Sequence, residues 1–150
     1  MDKPTDLIEY ETMLLGRHSL ATRRSRSEGG LLERSAYILL SRVRIEGPMS
    51  IRQLSEAFDL DPSTLNRQTS AMLRDGLVER IPDPEGGIAR KFRITAEGER
   101  RLDAERAQIV TGIDKIMADW TSDEVAAFAA FLQRFNTDIE RLAGHPWPRP

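Results

Sequence analysis

Apolar residues return along this chain with two different steps. Over most of its length the step is three or four residues, the repeat of one face of an α-helix. Leu7, Tyr10, Leu14 and Ala21 predict a first helix from about Asp6 to Ser25, broken by Glu28-Gly29-Gly30. Leu32, Ala36, Leu39 and Val43 line one face of a second helix, which Gly47-Pro48 ends. Met49-Ser50 fits a short extended piece, with Ser50 capping a third helix marked by Ile51, Leu54, Ala57 and Phe58. Asp59-Leu60-Asp61-Pro62 is a turn. Asp61 suits the N-cap and Pro62 the first helical position of a fourth helix reaching about Arg74, which Asp75-Gly76 stops.

The step then shortens to two. Leu77 to Ile81 and Ile88 to Ile94 predict two strands, with Phe92 and Ile94 on one face and Lys91 and Arg93 on the other. Pro82-Asp83-Pro84-Glu85-Gly86-Gly87 between them is a turn by composition, so the pair forms a β-hairpin. Helical spacing resumes near Ala96, where Leu102, Ile109, Ile113, Ile116 and Trp120 share a stripe. Thr121-Ser122-Asp123-Glu124 reads as a capping box opening a last helix. In it Val125, Phe128, Leu132, Phe135, Ile139 and Leu142 form a heptad-like seam. Residues 144–150 are Pro-rich and are expected to be disordered.

Composition narrows the class. The 150 residues suit a single domain, the 39% apolar content can build a core, and the 31% charged content suits a soluble helical protein. The N-terminus shows no basic flank or apolar signal core, and no stretch reads as a membrane span, so a cytoplasmic protein is expected. The absence of cysteine excludes disulfides and thiolate metal sites. No nucleophile elbow, phosphate loop or metal cluster is present, and His18 and His145 lie far apart, so no enzyme, metal or cofactor is expected. The net charge of −2 hides an uneven distribution. Residues 17–52 carry eight Arg against three Glu, while both ends are acidic. That is either ordinary surface charge or a basic face on an acidic scaffold.

Two short helices, a tight turn and a hairpin form the order of a winged helix-turn-helix, whose second helix enters the major groove of DNA. Leu65, Thr69, Met72 and Leu73 would face inward on the fourth helix. Pro62, Ser63, Thr64, Asn66, Arg67, Ser70 and Arg74 lie outside or at its ends. Arg suits guanine, Asn adenine, and hydroxyls phosphate or base. Ser50 and Arg52 at the preceding helix start, and Arg90, Lys91 and Arg93 on the hairpin, complete the candidate DNA contacts. A solvated helix face and a charged edge strand are the competing readings.

Here the chain resembles the MarR family (multiple antibiotic resistance regulators). The resemblance rests on Ile51-Arg52-Gln53-Leu54-Ser55-Glu56-Ala57, Leu60 to Arg67, Leu73 to Arg80, Asp83-Pro84-Glu85, Ile94-Thr95-Ala96-Glu97-Gly98 and Trp120 to Glu124. It implies a mainly α fold with a small β-hairpin wing, ordered helix–helix–strand–helix–helix–strand–strand–helix–helix. Residues 1–150 would form one domain, with the DNA-binding lobe at 31–95 and dimerisation helices at 6–26 and 96–143. It further implies a homodimer on double-stranded, pseudo-palindromic operator DNA, usually repressing, and often released by a small aromatic ligand. The chain departs from the family at the wing tip, where Gly86-Gly87 stand in place of the usual acidic residue and arginine.

Leu7, Tyr10, Leu14, Val125, Phe128, Leu132, Phe135, Ile139 and Leu142 are the expected dimer contacts; burial within one chain is the competing reading. Met13, Arg17, His18, Tyr37 and Trp120 have the types and approximate positions to line an effector pocket, though each is more readily explained as core, packed aromatic or surface charge. An activator, or a winged helix working only through protein contacts, would share these patterns.

Overall fold

The computed structural model describes residues 2–18 and 32–150. The Ala21 position, the end of the first helix at Ser25, the Glu28-Gly29-Gly30 break and the start of the lobe at Leu31 lie outside the described residues. Among those described, six helices and one hairpin run in the order α1 (Thr5–Arg17), α2 (Arg34–Glu46), α3 (Ile51–Phe58), α4 (Pro62–Arg74), β1 (Val78–Ile81), β2 (Lys91–Ile94), α5 (Ala96–Ile116) and α6 (Ser122–Ala143). No described helix is long and apolar enough to cross a membrane.

The core belongs to the middle of the chain. Leu39, Leu40 and Val43 of α2 meet Leu54 of α3, Leu65 and Met72 of α4, Val78 and Phe92 of the hairpin, and Leu102 of α5. β1 and β2 pair antiparallel, with Val78 opposite Ile94 and Ile81 opposite Lys91. Met49 forms a bridge with Phe92, exchanging both backbone hydrogen bonds at 3.1 and 2.8 Å. The short strand expected at Met49-Ser50 is thus one bridging residue, because Pro48 lacks an N–H and Ser50 already starts α3.

Local chemistry sets the boundaries. Ser50 and Gln53 form a reciprocal capping box at α3, and Thr121 and Glu124 form another at α6. Thr95 caps α5 through the Gly98 N–H and donates its hydroxyl to the Gly76 carbonyl at 2.6 Å. A side chain on Gly98 would press into the Leu77 carbonyl, so only glycine lets α5 start this close to the strand. Both strands are shorter than their alternation suggests, since Ile88 to Arg90 belong to the turn. α5 ends at Ile116, so Trp120 lies in the next turn rather than on the helix, its N–H donating to the Met117 carbonyl.

The tail differs from expectation. His145 N–H donates to the Glu140 carbonyl, Trp147 N–H to the Glu140 carboxylate at 2.7 Å, and Arg149 to both Glu140 oxygens at 2.9 and 2.6 Å. The prolines, which point to disorder when taken alone, instead limit the conformations of a segment that a carboxylate and an aromatic ring then hold.

Candidate nucleic-acid interface

α4 has two faces. Leu65, Thr69 and Met72 are buried, and the Thr69 hydroxyl is satisfied by the Leu65 carbonyl at 2.7 Å. Ser63, Asn66, Arg67 and Arg74 are exposed, with Thr64 and Ser70 partly so. Asp61 stands at the N-cap without a side-chain cap bond, and Pro62 fills the first turn. Pro62 has no N–H and the Thr64 N–H donates to the Asp61 carbonyl at 3.0 Å, which leaves the Ser63 N–H to face an anion such as phosphate. Asp59, in the left-handed conformation at φ 51°, turns the chain from α3 to α4. The Ser55 hydroxyl secures that turn on the Leu60 carbonyl at 2.5 Å.

The flanking candidates divide. Ser50 is buried, and its hydroxyl oxygen is engaged by the Gln53 N–H, so its first role is the cap of α3. Arg52 projects into solvent beside Glu56, at 3.3 Å. On the hairpin, Arg93 is held by Glu79, with its Nε at 2.8 Å, across the strand pair. Lys91 is largely covered, its ammonium 3.5 Å from Asp83. Arg90, like Arg67 and Arg74, is exposed and has no ion pair among the described residues.

The wing tip is organised by Asp83. Its carboxylate accepts the Glu85 N–H at 2.9 Å, and its carbonyl accepts the Gly86 N–H at 3.0 Å. The Glu85 N–H, more than the nearby Lys91, holds the Asp83 carboxyl below the usual carboxylate range. Gly86 takes φ 83°, and a side chain on Gly87 would collide with the Asp83 carboxylate. The turn thus favours glycine at 86 through its backbone, and at 87 through the place the Asp83 carboxylate takes. Sequence reasoning missed Asp83; an Asp just ahead of a glycine-rich turn is the signal that marks it.

Comparison with known proteins decides the class. The MarR family model matches residues 32–86. An uncharacterised HTH-type transcriptional regulator of Bacillus subtilis, YxaD, is 35% identical over 133 residues, spanning 89% of this chain and 93% of that protein. The chain belongs to the MarR family. Its members are winged-helix, DNA-binding transcriptional regulators, and this chain is one of them. A MarR family protein from Bacillus stearothermophilus superposes with a TM-score of 0.72 at 19% identity, over 93% of this chain and 99% of that one. A mutant of MarR from E. coli, solved complexed with operator DNA, superposes with a TM-score of 0.54 at 19% identity, over 69% and 75%. These two likenesses speak to the fold.

Against the MarR fold, the ends of this chain are bare. Neither α1 nor α6 has a buried residue. Leu7, Tyr10, Val125, Phe128, Leu132, Phe135, Ile139 and Leu142 are exposed, and Leu14 is half-buried. Ile8, Leu15 and Phe131, not counted by the single-stripe reading, widen this apolar surface. α1 and α6 flank a groove of about 1120 Å³ lined by Leu7, Ile8, Leu15, Phe128, Phe131 and Phe135. The five effector candidates fall on different elements. Met13, Arg17 and His18 sit on or just beyond α1, and none of the five lines this groove. Tyr37 packs beside the core, its hydroxyl accepting from Arg106 at 3.3 Å. Trp120 meets Phe128 edge-on at 5.7 Å.

Proposed function

We propose that this regulator acts as a homodimer on a pseudo-palindromic operator, placing one α4 helix in each of two successive major grooves. Ser63, Thr64, Asn66, Arg67 and Ser70 would read or hold the DNA from α4, with Pro62 setting the helix start and Arg74 reaching phosphate. Arg52 and Arg90 would grip the flanking backbone, and Lys91 and Arg93 would shape the wing that carries Arg90. The observation that carries this reading is the contrast on α4: a sealed inner face beside an outer face whose arginines have no ion pair among the described residues. An unbalanced guanidinium in solvent is well suited to displace counterions from phosphate.

The dimer is proposed from the uncovered faces of α1 and α6. A symmetric pair would bring the recognition helices about 34 Å apart. The regulator would repress where its operator overlaps a promoter. A small aromatic ligand would release it by favouring a different lobe spacing. Tyr37 and Arg106, paired between α2 and α5, offer such a ligand a ring and a cation where the lobe meets the long helix.

Selection of bound fragments from genomic DNA, repeated over a salt series, tests the reading. A paired, inverted motif with affinity falling steeply in salt is expected. Enrichment of no motif, or affinity indifferent to salt, would overturn it.

A further inference from the structure

Between Glu140 and Trp147 the C-terminal segment leaves α6 and returns to the DNA-binding lobe. Gly144, in the left-handed conformation, ends α6 and turns the chain. Glu140 then holds the returning segment, accepting the Trp147 N–H and a two-pronged contact from Arg149. Both donors keep the Glu140 carboxyl ionised below its usual range, Arg149 more than Trp147. The anchored Trp147 ring meets Phe58 edge-on, with centroids 5.3 Å apart. The Arg42 guanidinium lies over the same indole at 4.7 Å while its Nε binds Glu46 at 3.0 Å.

Those two partners occupy telling places. Phe58 is the last residue of α3, directly before the Asp59 turn into α4, and it packs against the lobe core. Arg42 is a nearly buried residue of α2. A single ring therefore links α6, whose apolar face is the proposed dimer surface, to the helix pair that orients the recognition helix. Beneath the strap, Gly144, His145 and Pro146 roof a cleft of about 610 Å³ whose other walls come from α2, α3 and the wing residues Pro84, Glu85 and Lys91. The strap spans that cleft, so the lobe and α6 are not joined by continuous packing there.

We infer that Trp147 is a positioning residue for DNA recognition: docked between Arg42 and Phe58 and tethered through Glu140, it fixes the orientation of the α3–α4 pair relative to α6. In a dimer that orientation sets the distance between the two recognition helices. The strap thereby sets which half-site spacing the protein accepts. This consequence rests on the dimeric reading above; the strap itself does not.

The chain has no cysteine, so labels can be placed cleanly. Spin labels at Asp75→Cys, just past α4, and Ala130→Cys, on α6, report the lobe-to-helix distance in the full-length protein. The labelled chain is diluted into excess unlabelled chain, so that only distances within one chain are read. In wild type one narrow distribution is expected. Trp147→Ala is expected to broaden it by roughly twofold, and Trp147→Phe, which keeps a ring against Phe58, to restore most of the narrowing. Arg149→Ala and Glu140→Ala cut the tether without touching the lobe and are expected to broaden it as well, even if Trp147→Ala fails to fold. A wild-type distribution as broad as that of Arg149→Ala, or tether variants that overlay a narrow wild type, would overturn the inference.

A second arm uses random-sequence duplexes selected by each variant. Trp147→Ala is expected to bind its preferred half-site spacing about threefold to tenfold more weakly. It should also tolerate spacings one base pair longer or shorter, with unchanged preference within each half-site. Unchanged spacing preference would overturn the consequence for recognition. Failure of the wild type to select paired half-sites would instead sink the dimeric reading, leaving the distance measurement to judge the strap.

Discussion

Leu39, Leu40, Leu54 and Leu65 are sealed within the lobe, whereas Phe131 on α6 is 68% exposed and Leu142 is 79% exposed. Both sets of residues come from helices with clear apolar spacing. The pattern in the sequence is therefore the same, and the outcome is opposite. In the lobe, α2, α3, α4, α5 and the hairpin each turn their stripe toward one centre, so a single chain completes the core. The stripes of α1 and α6 face each other across an open groove instead. Apolar surface on this scale is a sign of a missing partner. One chain closes the core of the lobe, whereas α1 and α6 leave their apolar faces for the second copy proposed above.

The largest effect should come from breaking the lobe. Leu54→Ala removes a fully buried side chain at the centre of the cluster. A cost of about 2–5 kcal/mol is expected, read by denaturant unfolding. Phe131→Ala on α6 should leave the monomer's unfolding free energy nearly unchanged. Equal losses at the two positions would erase the distinction between the regions.

The second effect tests the ends. Replacing Phe128 and Phe135 with Asp together should abolish the dimer in sedimentation, and operator binding with it, while the circular dichroism of the helices persists. An intact dimer would mean that the seam is covered by something other than a second copy.

The contrast also explains what is legible in the sequence. The winged helix-turn-helix is legible because its elements carry local starts and stops: Ser50 caps α3, Pro62 opens α4, Asp75-Gly76 ends it, and Thr95 caps α5. These are local devices, and local sequence encodes them. The outer face of α4 is legible for the same reason, since Leu65, Thr69 and Met72 fix which side faces inward. The tail is not legible. Its order depends on Glu140, Arg42 and Phe58, the last two distant in sequence, and its proline content points the other way. The wing cations are only half legible: residue type shows that Lys91, Arg93 and Arg90 are basic, but the partners of the first two, Asp83 and Glu79, emerge only from strand pairing. The effector candidates need the ends to converge on the lobe, and their types alone do not encode that.

Smaller effects sharpen the comparison within the lobe. Arg67→Ala should weaken operator binding by about 1–3 kcal/mol and relax base preference at one position if Arg67 reads a base edge. A uniform loss over all sequences would assign it to phosphate. On the wing, Arg90→Ala should lower the slope of log affinity against log salt by about 1. Arg93→Ala should change that slope less, because Glu79 already balances Arg93. The reverse order would show that strand ion pairs open on binding.

The smallest effect concerns the wing turn and acid. The Glu85 N–H lowers the Asp83 carboxyl below its ordinary value of 3.8. A carboxylate with a depressed folded pKa contributes order that is fully present above the unfolded value and disappears as pH falls through the folded one. The wing turn should therefore be insensitive to pH from neutrality down to about 4 and loosen only below its ordinary value, with faster exchange of the Glu85 amide as the readout. Asp83→Asn should remove this acid dependence, because a neutral amide can still accept the Glu85 N–H but cannot titrate. The lobe core, aliphatic at its centre, should keep its amide protection through the same pH range. Simultaneous loosening of both would mean that the wing does not open as a separate unit, and would tie the placement of Arg90 to the stability of the whole lobe.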